Sequence, residues 1–420
     1  MTHSHSVVVN PAILRKEIIM KKLKFVMLAS CAFAVGAPRS ASAQSAKDVA
    51  VTYQINVLHT GAINTPTLVP PLQVKWSVDL GATVSYPLIA EGKVFVIAGP
   101  DSGGLVNLYA LDAQNGSTVW GPVLIPEGAY DWAAAAYDNG TIFVVPNTVT
   151  GFQSGSMYAF AASDGHQIWN ISLPGQYFFT APPAAKNGIV YTSGAGGGGT
   201  VYAVRETDGT VLWTAGVENG DNSSPVVTPK AVYVSYVCPQ AYDFQPKTGK
   251  LIWHYSGPCE GGGGATPVLY NNLLYVRDWS RSINGYDGDI LNAVSGTYVG
   301  GFNADFAPAF QGKNGFYVQS NGLNAVNAAT NATVWTAAPA QGDTYSSPPI
   351  VVNGVVYVGT SQGNLLGYRA GTGKKVISLN MGYSIAASET GSVGSPESGL
   401  GAGQGILVVP ASTHLIALSH

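Results

Sequence analysis

Charge is scarce in this chain: Asp, Glu, Lys and Arg make up 10% of its 420 residues, and the formal net charge is −3. No Lys/Arg cluster stands in the body of the sequence, which argues against nucleic acid or an anionic membrane surface as a partner. Cysteine is nearly absent too. Cys31, Cys238 and Cys259 are the three present, none adjacent to another, and no C-x-x-C-H haem motif occurs. Beyond residue 43 the histidines are His59, His166, His254, His414 and His420, without the paired spacing of zinc ligands, so no metal site is expected. Tyr286-Asp287-Gly288-Asp289 lacks the further acids of a calcium loop and reads as a solvated turn. After the N-terminal region no stretch offers the ~18 uninterrupted apolar residues of a membrane span.

The N-terminus reads as a secretion signal over 1–43, with 1–19 a spurious extension. Met20 precedes Lys21, Lys22 and Lys24, an apolar run from Phe25 to Ala37, and Ala41-Ser42-Ala43 before Gln44. A rival reading takes Leu28-Ala29-Ser30-Cys31 as a lipoprotein box that leaves a lipid on Cys31. Either way the chain is expected to be exported, periplasmic or extracellular, where a Cys238–Cys259 disulfide is permitted. Those two cysteines fall at the ends of strands two apart in one blade, so a bridge between them requires the loops to lean together.

What the chain has in abundance is glycine, with 52 residues, tyrosine, with 22, and apolar residues, 46% of the total and spread evenly. That suits many short strands joined by tight turns. One phrase recurs: "YALDAQNGSTVW" at 109–120, "YAFAASDGHQIW" at 158–169, "YAVRETDGTVLW" at 202–213 and "YDFQPKTGKLIW" at 242–253. Each reads as a hairpin whose Gly116, Gly165, Gly209 or Gly249 supplies a positive φ between two strands. Later copies are worn. Asn331 stands in the glycine slot before Trp335, Ile377 fills a tryptophan slot, and the slot near Gly300 has no tryptophan. Successive slots, beginning at Trp76, lie 35 to 49 residues apart, the period of a propeller blade.

The reading is an all-β, eight-bladed β-propeller of four antiparallel strands per blade. The last blade is closed by the N-terminal strand that carries Trp76. The propeller is expected over 71–420, after a linker at 44–70. Trp76, Trp120, Trp169, Trp213, Trp253 and Trp335 are assigned a structural role, each packing on a small residue of the neighbouring blade. Gly359-Thr360-Ser361-Gln362-Gly363 fits the G-x-S-x-G pattern of a nucleophile elbow but joins two strands, so it reads as a hairpin turn.

The phrase Ala-x-Asp-x-x-x-Gly-x-x-x-Trp, clearest from Ala110 to Trp120, resembles the PQQ-like repeat of quinoprotein dehydrogenases and of the propeller lipoprotein in the outer-membrane β-barrel assembly machinery. The resemblance covers nearly the whole exported chain, and it implies the fold more strongly than a function. In the enzymes it implies PQQ under a disulfide of two adjacent cysteines, with calcium held nearby. The adjacent pair is missing here. The expectation is therefore a non-catalytic binding or scaffold module, with no cofactor. The alternative is a PQQ- and calcium-dependent alcohol or sugar dehydrogenase. A protein, peptide or carbohydrate partner is expected at the channel face, where the inner strands begin, with no nucleic acid, and the chain is expected to be a monomer. Tyr130, Asp131, Trp132, Phe178, Phe179, Asp221, Asn222, Asp305 and Tyr345 are the candidate contacts; alternatively the aromatics simply plug the channel.

Overall fold

A computed structural model describes residues 48–99, 105–126, 133–146, 154–174, 182–194, 199–220, 223–236, 238–258, 265–277, 286–385 and 397–420. Among these residues there is no helix, and the strands form eight sheets, one per blade. Blade 1 has its inner strand at Leu88–Ala90 and its outer strand at Thr118–Leu124; blades 2 to 7 follow in order. Blade 8 takes three strands from the C-terminus, and its outer strand is Gln73–Asp79, paired antiparallel from Gln73↔Ser419 to Asp79↔His414. The ring is thus zipped by its two ends, and no blade is left with a missing strand.

The recurring phrase earns its composition at the joints between blades. Each of the six repeat tryptophans donates its indole N–H to a backbone carbonyl of the next blade, at 2.7 to 3.1 Å: Trp76 to Ala113, Trp120 to Ala162, Trp169 to Glu206, Trp213 to Pro246, Trp253 to Ala293 and Trp335 to Ala370. Three residues on, the turn glycine lies under the same ring. A Cβ on Gly249 would stand 2.6 Å from Trp213, and one on Gly296 would stand 2.6 Å from Trp253. Glycine is therefore required twice over, for its positive φ and for the ring above it.

The worn copies follow the same logic. Blade 5 has Gly300 in the tryptophan slot, so nothing covers the corresponding turn of blade 6, and Asn331 sits there at φ 56° with its side-chain amide donating to Gly301 O. A cleft of about 190 Å³ remains at this joint, lined by Tyr286, Asn303, Gln319 and Asn324. Blade 7 has Ile377 in the slot, and blade 8 has no hairpin to receive an indole, because its third and outer strands come from opposite chain ends.

The segment expected as a linker over 44–70 proves, from Asp48 on, to be a strap that winds inside the ring and touches every blade. Ala50 exchanges backbone bonds with Ile89 of blade 1, Tyr137 N of blade 2 donates to Val51 O, and Thr52 Oγ1 donates to Pro183 O beside blade 3. Val57, Leu58 and Thr60 accept from Val227, Leu269 and Phe310 of blades 4, 5 and 6. Ala62–Ile63 then adds a parallel strand to blade 7, and Asp48 and Thr65 accept from Gln404 N and Gly405 N of blade 8. The inner edge of a propeller strand carries unpaired backbone groups, and the strap supplies their partners. It bends sharply to do so: Gln54, Ile55 and His59 all have positive φ.

Candidate functional site

Two ends of the channel present themselves. The inner strands begin at one face, with the loops that enter and leave neighbouring blades; the tight turns between first and second strands, and between third and fourth, gather at the other.

At the loop face, Asp305 is exposed, and Ser320 N donates to its Oδ2 at 3.0 Å. Tyr345 does not line the channel as expected. It is 6% exposed, packed between blades 6 and 7, with its hydroxyl 2.9 Å from that of Tyr368. The buried position follows from the backbone bridge of Tyr345 to Thr360, which turns its ring inward. Tyr130, Asp131, Trp132, Phe178, Phe179, Asp221 and Asn222 lie outside the described residues. Cys238 is disulfide-bonded, at a positive φ in a turn of blade 4; its expected partner, Cys259, also lies outside the described residues.

Deeper in, the channel is filled. Tyr53 of the strap meets Tyr86 edge-on at 5.6 Å, and Tyr86 donates its hydroxyl to Ala135 O at 2.6 Å. His59 is fully buried; its Nδ1 donates to Pro267 O at 2.9 Å and its Nε2 accepts from Ser224 Oγ. Burial, only partly offset by the Pro267 carbonyl, lowers its pKa to about 4, so the ring stays neutral.

On the turn face the strap forms the floor of a cavity of about 560 Å³, lined by Asn56, Thr60, Asn64, Asp138, Lys186, Tyr270 and Gln311. Tyr270 stacks on Phe310 at 4.8 Å. Beside it, Asp138 and Glu206 share a hydrogen bond, and burial, reinforced by the Asp138 charge, raises the Glu206 pKa to about 7. Glu206 stands where the repeat has a small residue, inside a phrase read only as a structural hairpin, so sequence reading passed over it. Its neighbours in sequence carried no other signal.

Other motifs resolve into structure. Ser361 of the G-x-S-x-G stretch lies in the hairpin between Val355–Gly359 and Asn364–Arg369, bonded to Thr344 and Asp343. Asp289, expected in a solvated turn, is instead 1% exposed and accepts from Tyr255 at 2.9 Å, because its strand pairs on both sides. Asp243 takes the alanine position of the repeat in blade 4. It is 3% exposed, its Oδ1 has no hydrogen-bond partner, and burial raises its pKa to about 7. In the unfolded chain this carboxyl ionises near pH 4. Its folded pKa is higher, so its contribution to stability is complete below pH 4 and is lost as pH rises through 7. Asp243→Asn is therefore expected to raise Tm by about 2 °C or more at pH 8 and to change it little at pH 4, in thermal unfolding followed by circular dichroism.

These features define a class: an eight-bladed PQQ-like propeller, velcro-closed, with tryptophan-docked blades. The chain belongs to the family described as outer membrane protein assembly factor BamB, which matches it in overlapping stretches at 73–194, 107–256, 197–297 and 292–419. It is 25% identical over 219 residues to the outer membrane protein assembly factor BamB of Moranella endobia, covering 48% of this chain and 54% of that one. It is 24% identical over 227 residues to the tetrathionate hydrolase of Acidithiobacillus ferrooxidans, covering 40% of this chain and 45% of that one. The chain thus spans about half the length of these curated relatives. Among solved structures, the quinohemoprotein alcohol dehydrogenase of Comamonas testosteroni superimposes with a TM-score of 0.66 at 14% identity, over 88% of this chain and 80% of that one, a likeness of fold alone.

Proposed function

We propose that the chain is an exported scaffold of the periplasm that binds a partner protein through its loop face, around Asp305, without catalysing a reaction. The observation that carries this reading is the family match, which runs through all eight blades to a group described as an assembly factor. The donor set supports leaving a quinone out: no two cysteines are adjacent in the sequence, and among the described residues no three His, Cys, Asp or Glu side chains gather as metal ligands. A ring clamped at its rim and again at its hub suits a rigid binding surface.

The reading is tested by expressing the chain in a bacterium that lacks its own BamB. Outer-membrane β-barrel protein levels are expected to recover, and Asp305→Lys is expected to weaken the recovery several-fold. Calorimetric titration of the purified chain with PQQ and calcium is expected to give no heat. Micromolar, calcium-dependent binding with no recovery of barrel proteins would instead favour a quinoprotein oxidoreductase.

A further inference from the structure

Folding gathers seven exposed cations of this chain in one sector of one face. Every turn between first and second strands, and every turn between third and fourth, lies within the described residues. On that face, blades 4 to 7 carry Lys230, Lys247, Lys250, Lys313, Arg369, Lys374 and Lys375, all seven exposed. The turns of those blades hold no acid: they read Thr228–Ala231 and Gln245–Lys250 in blade 4, Asn271–Asn272 and Ala293–Thr297 in blade 5, Gly312–Lys313 and Ala328–Ala332 in blade 6, Asn353–Gly354 and Ala370–Lys374 in blade 7. None of the seven cations has a carboxylate partner among the described residues. The acids in the turns of this face, Glu91, Asp112, Asp138, Asp164, Glu206 and Asp208, sit on blades 1 to 3, with Asp48 of the strap at blade 8, and Lys93 and Arg205 are paired there with Glu91 and Asp208. The loop face holds the acids Asp79, Glu218, Asp287, Asp305, Asp343 and Glu397.

The sequence shows no basic cluster, and folding brings its scattered cations to one face. Residues 230 to 375 are far apart in sequence, but a blade period of roughly forty residues returns each turn to the same face.

We propose that the turn face of blades 4 to 7 docks on the anionic headgroups of a lipid bilayer. The cations do not converge on a pocket that one phosphate would fill; they spread across four blades, and a plane of negative charge reaches all of them. Six of the seven are lysines, long and mobile point charges suited to a fluid surface rather than to bidentate recognition. Between the cations of blades 4 and 6, the turn of blade 5 projects Val294, 72% exposed, an aliphatic group able to enter the headgroup layer. The chain also enters the propeller on this face, where Asp48 accepts from Gln404 N in the first turn of blade 8. Docking here leaves the loop face directed away from the bilayer.

The test uses the exported chain carrying Cys31→Ser, so that no lipid contributes, and sedimentation with vesicles. Binding is expected to vesicles of phosphatidylcholine containing roughly 30 mol% phosphatidylglycerol and not to phosphatidylcholine alone, and to weaken steeply as salt is raised. The variant Lys230→Glu/Lys313→Glu/Lys374→Glu is expected to lose at least about tenfold in partitioning, while Lys75→Glu/Lys93→Glu, on blades 8 and 1, keeps it. Equal Tm values for the two variants establish that both are folded. Binding that ignores phosphatidylglycerol, or that survives the triple reversal, would overturn the proposal. So would retention on duplex DNA without any vesicle binding.

Discussion

Gly249→Asn is expected to destabilise the propeller by about 2 kcal/mol or more, while Asn331→Gly, at the equivalent turn two blades on, is expected to change stability by a few tenths. Both positions have positive φ, 67° at Gly249 and 56° at Asn331, and asparagine tolerates that conformation well. Backbone strain therefore cannot separate the two substitutions. What differs is the ring above. Trp213 lies so close to Gly249 that a Cβ would approach its Cδ2 and Cε3 at 2.6 Å, whereas blade 5 offers Gly300 and no ring over Asn331. Either the new side chain moves the indole, breaking its bond to Pro246 O, or blades 3 and 4 part. Denaturant unfolding of the single variants checks this, and a cycle with Trp213→Ala sharpens it. Trp213→Ala alone is expected to cost about 3–5 kcal/mol, and in its background Gly249→Asn should become nearly free. If Gly249→Asn is as mild as Asn331→Gly in the native background, the glycine is not there for the ring.

This coupling also explains how far the fold was legible. A hairpin phrase with glycine and tryptophan at constant spacing encodes the blade and its joint together, so the blade count, the closure by the strand bearing Trp76 and the worn slots could all be read from sequence. The strap could not. It makes its contacts mainly through backbone carbonyls, at Val51, Val57, Leu58, Thr60 and Gly61, and a carbonyl leaves no residue-type signature. Its one aromatic, Tyr53, and its histidine read as unremarkable residues of a connecting segment. Tyr345 was misplaced for a related reason: position in a loop suggested exposure, but burial goes with the isolated Thr360 bridge, between residues fifteen apart in sequence and outside the blade strands. The basic sector was invisible because its members come to one face only once the blades have formed.

Removal of residues 48–68 is expected to lower Tm by roughly 10 °C or more, even though the eight four-stranded blades and their closure remain in the truncated chain. The strap buries Tyr53, Ile55, Ile63 and Leu68 almost completely, and each such side chain contributes about 1.5–3 kcal/mol. Against this stand three left-handed residues, Gln54, Ile55 and His59, at about 1–3 kcal/mol each, with the β-branched Ile55 the costliest. The burial exceeds the strain by only a few kcal/mol, and the pairing of inner-edge amides that would otherwise face the channel adds to it. Val227, Leu269, Phe310 and Val351 all donate to strap carbonyls at 2.7 to 3.0 Å. Hydrogen exchange at those four amides is expected to speed up by orders of magnitude on truncation, with the third strands of the same blades little affected. The acid limb of stability should change as well. His59 has its folded pKa lowered to about 4, so its contribution is complete above its ordinary pKa and is lost as pH falls through 4; the truncated chain lacks that loss. If the truncated chain keeps its Tm and the four amides stay protected, the strap is a passenger in the channel and the blades alone hold the ring.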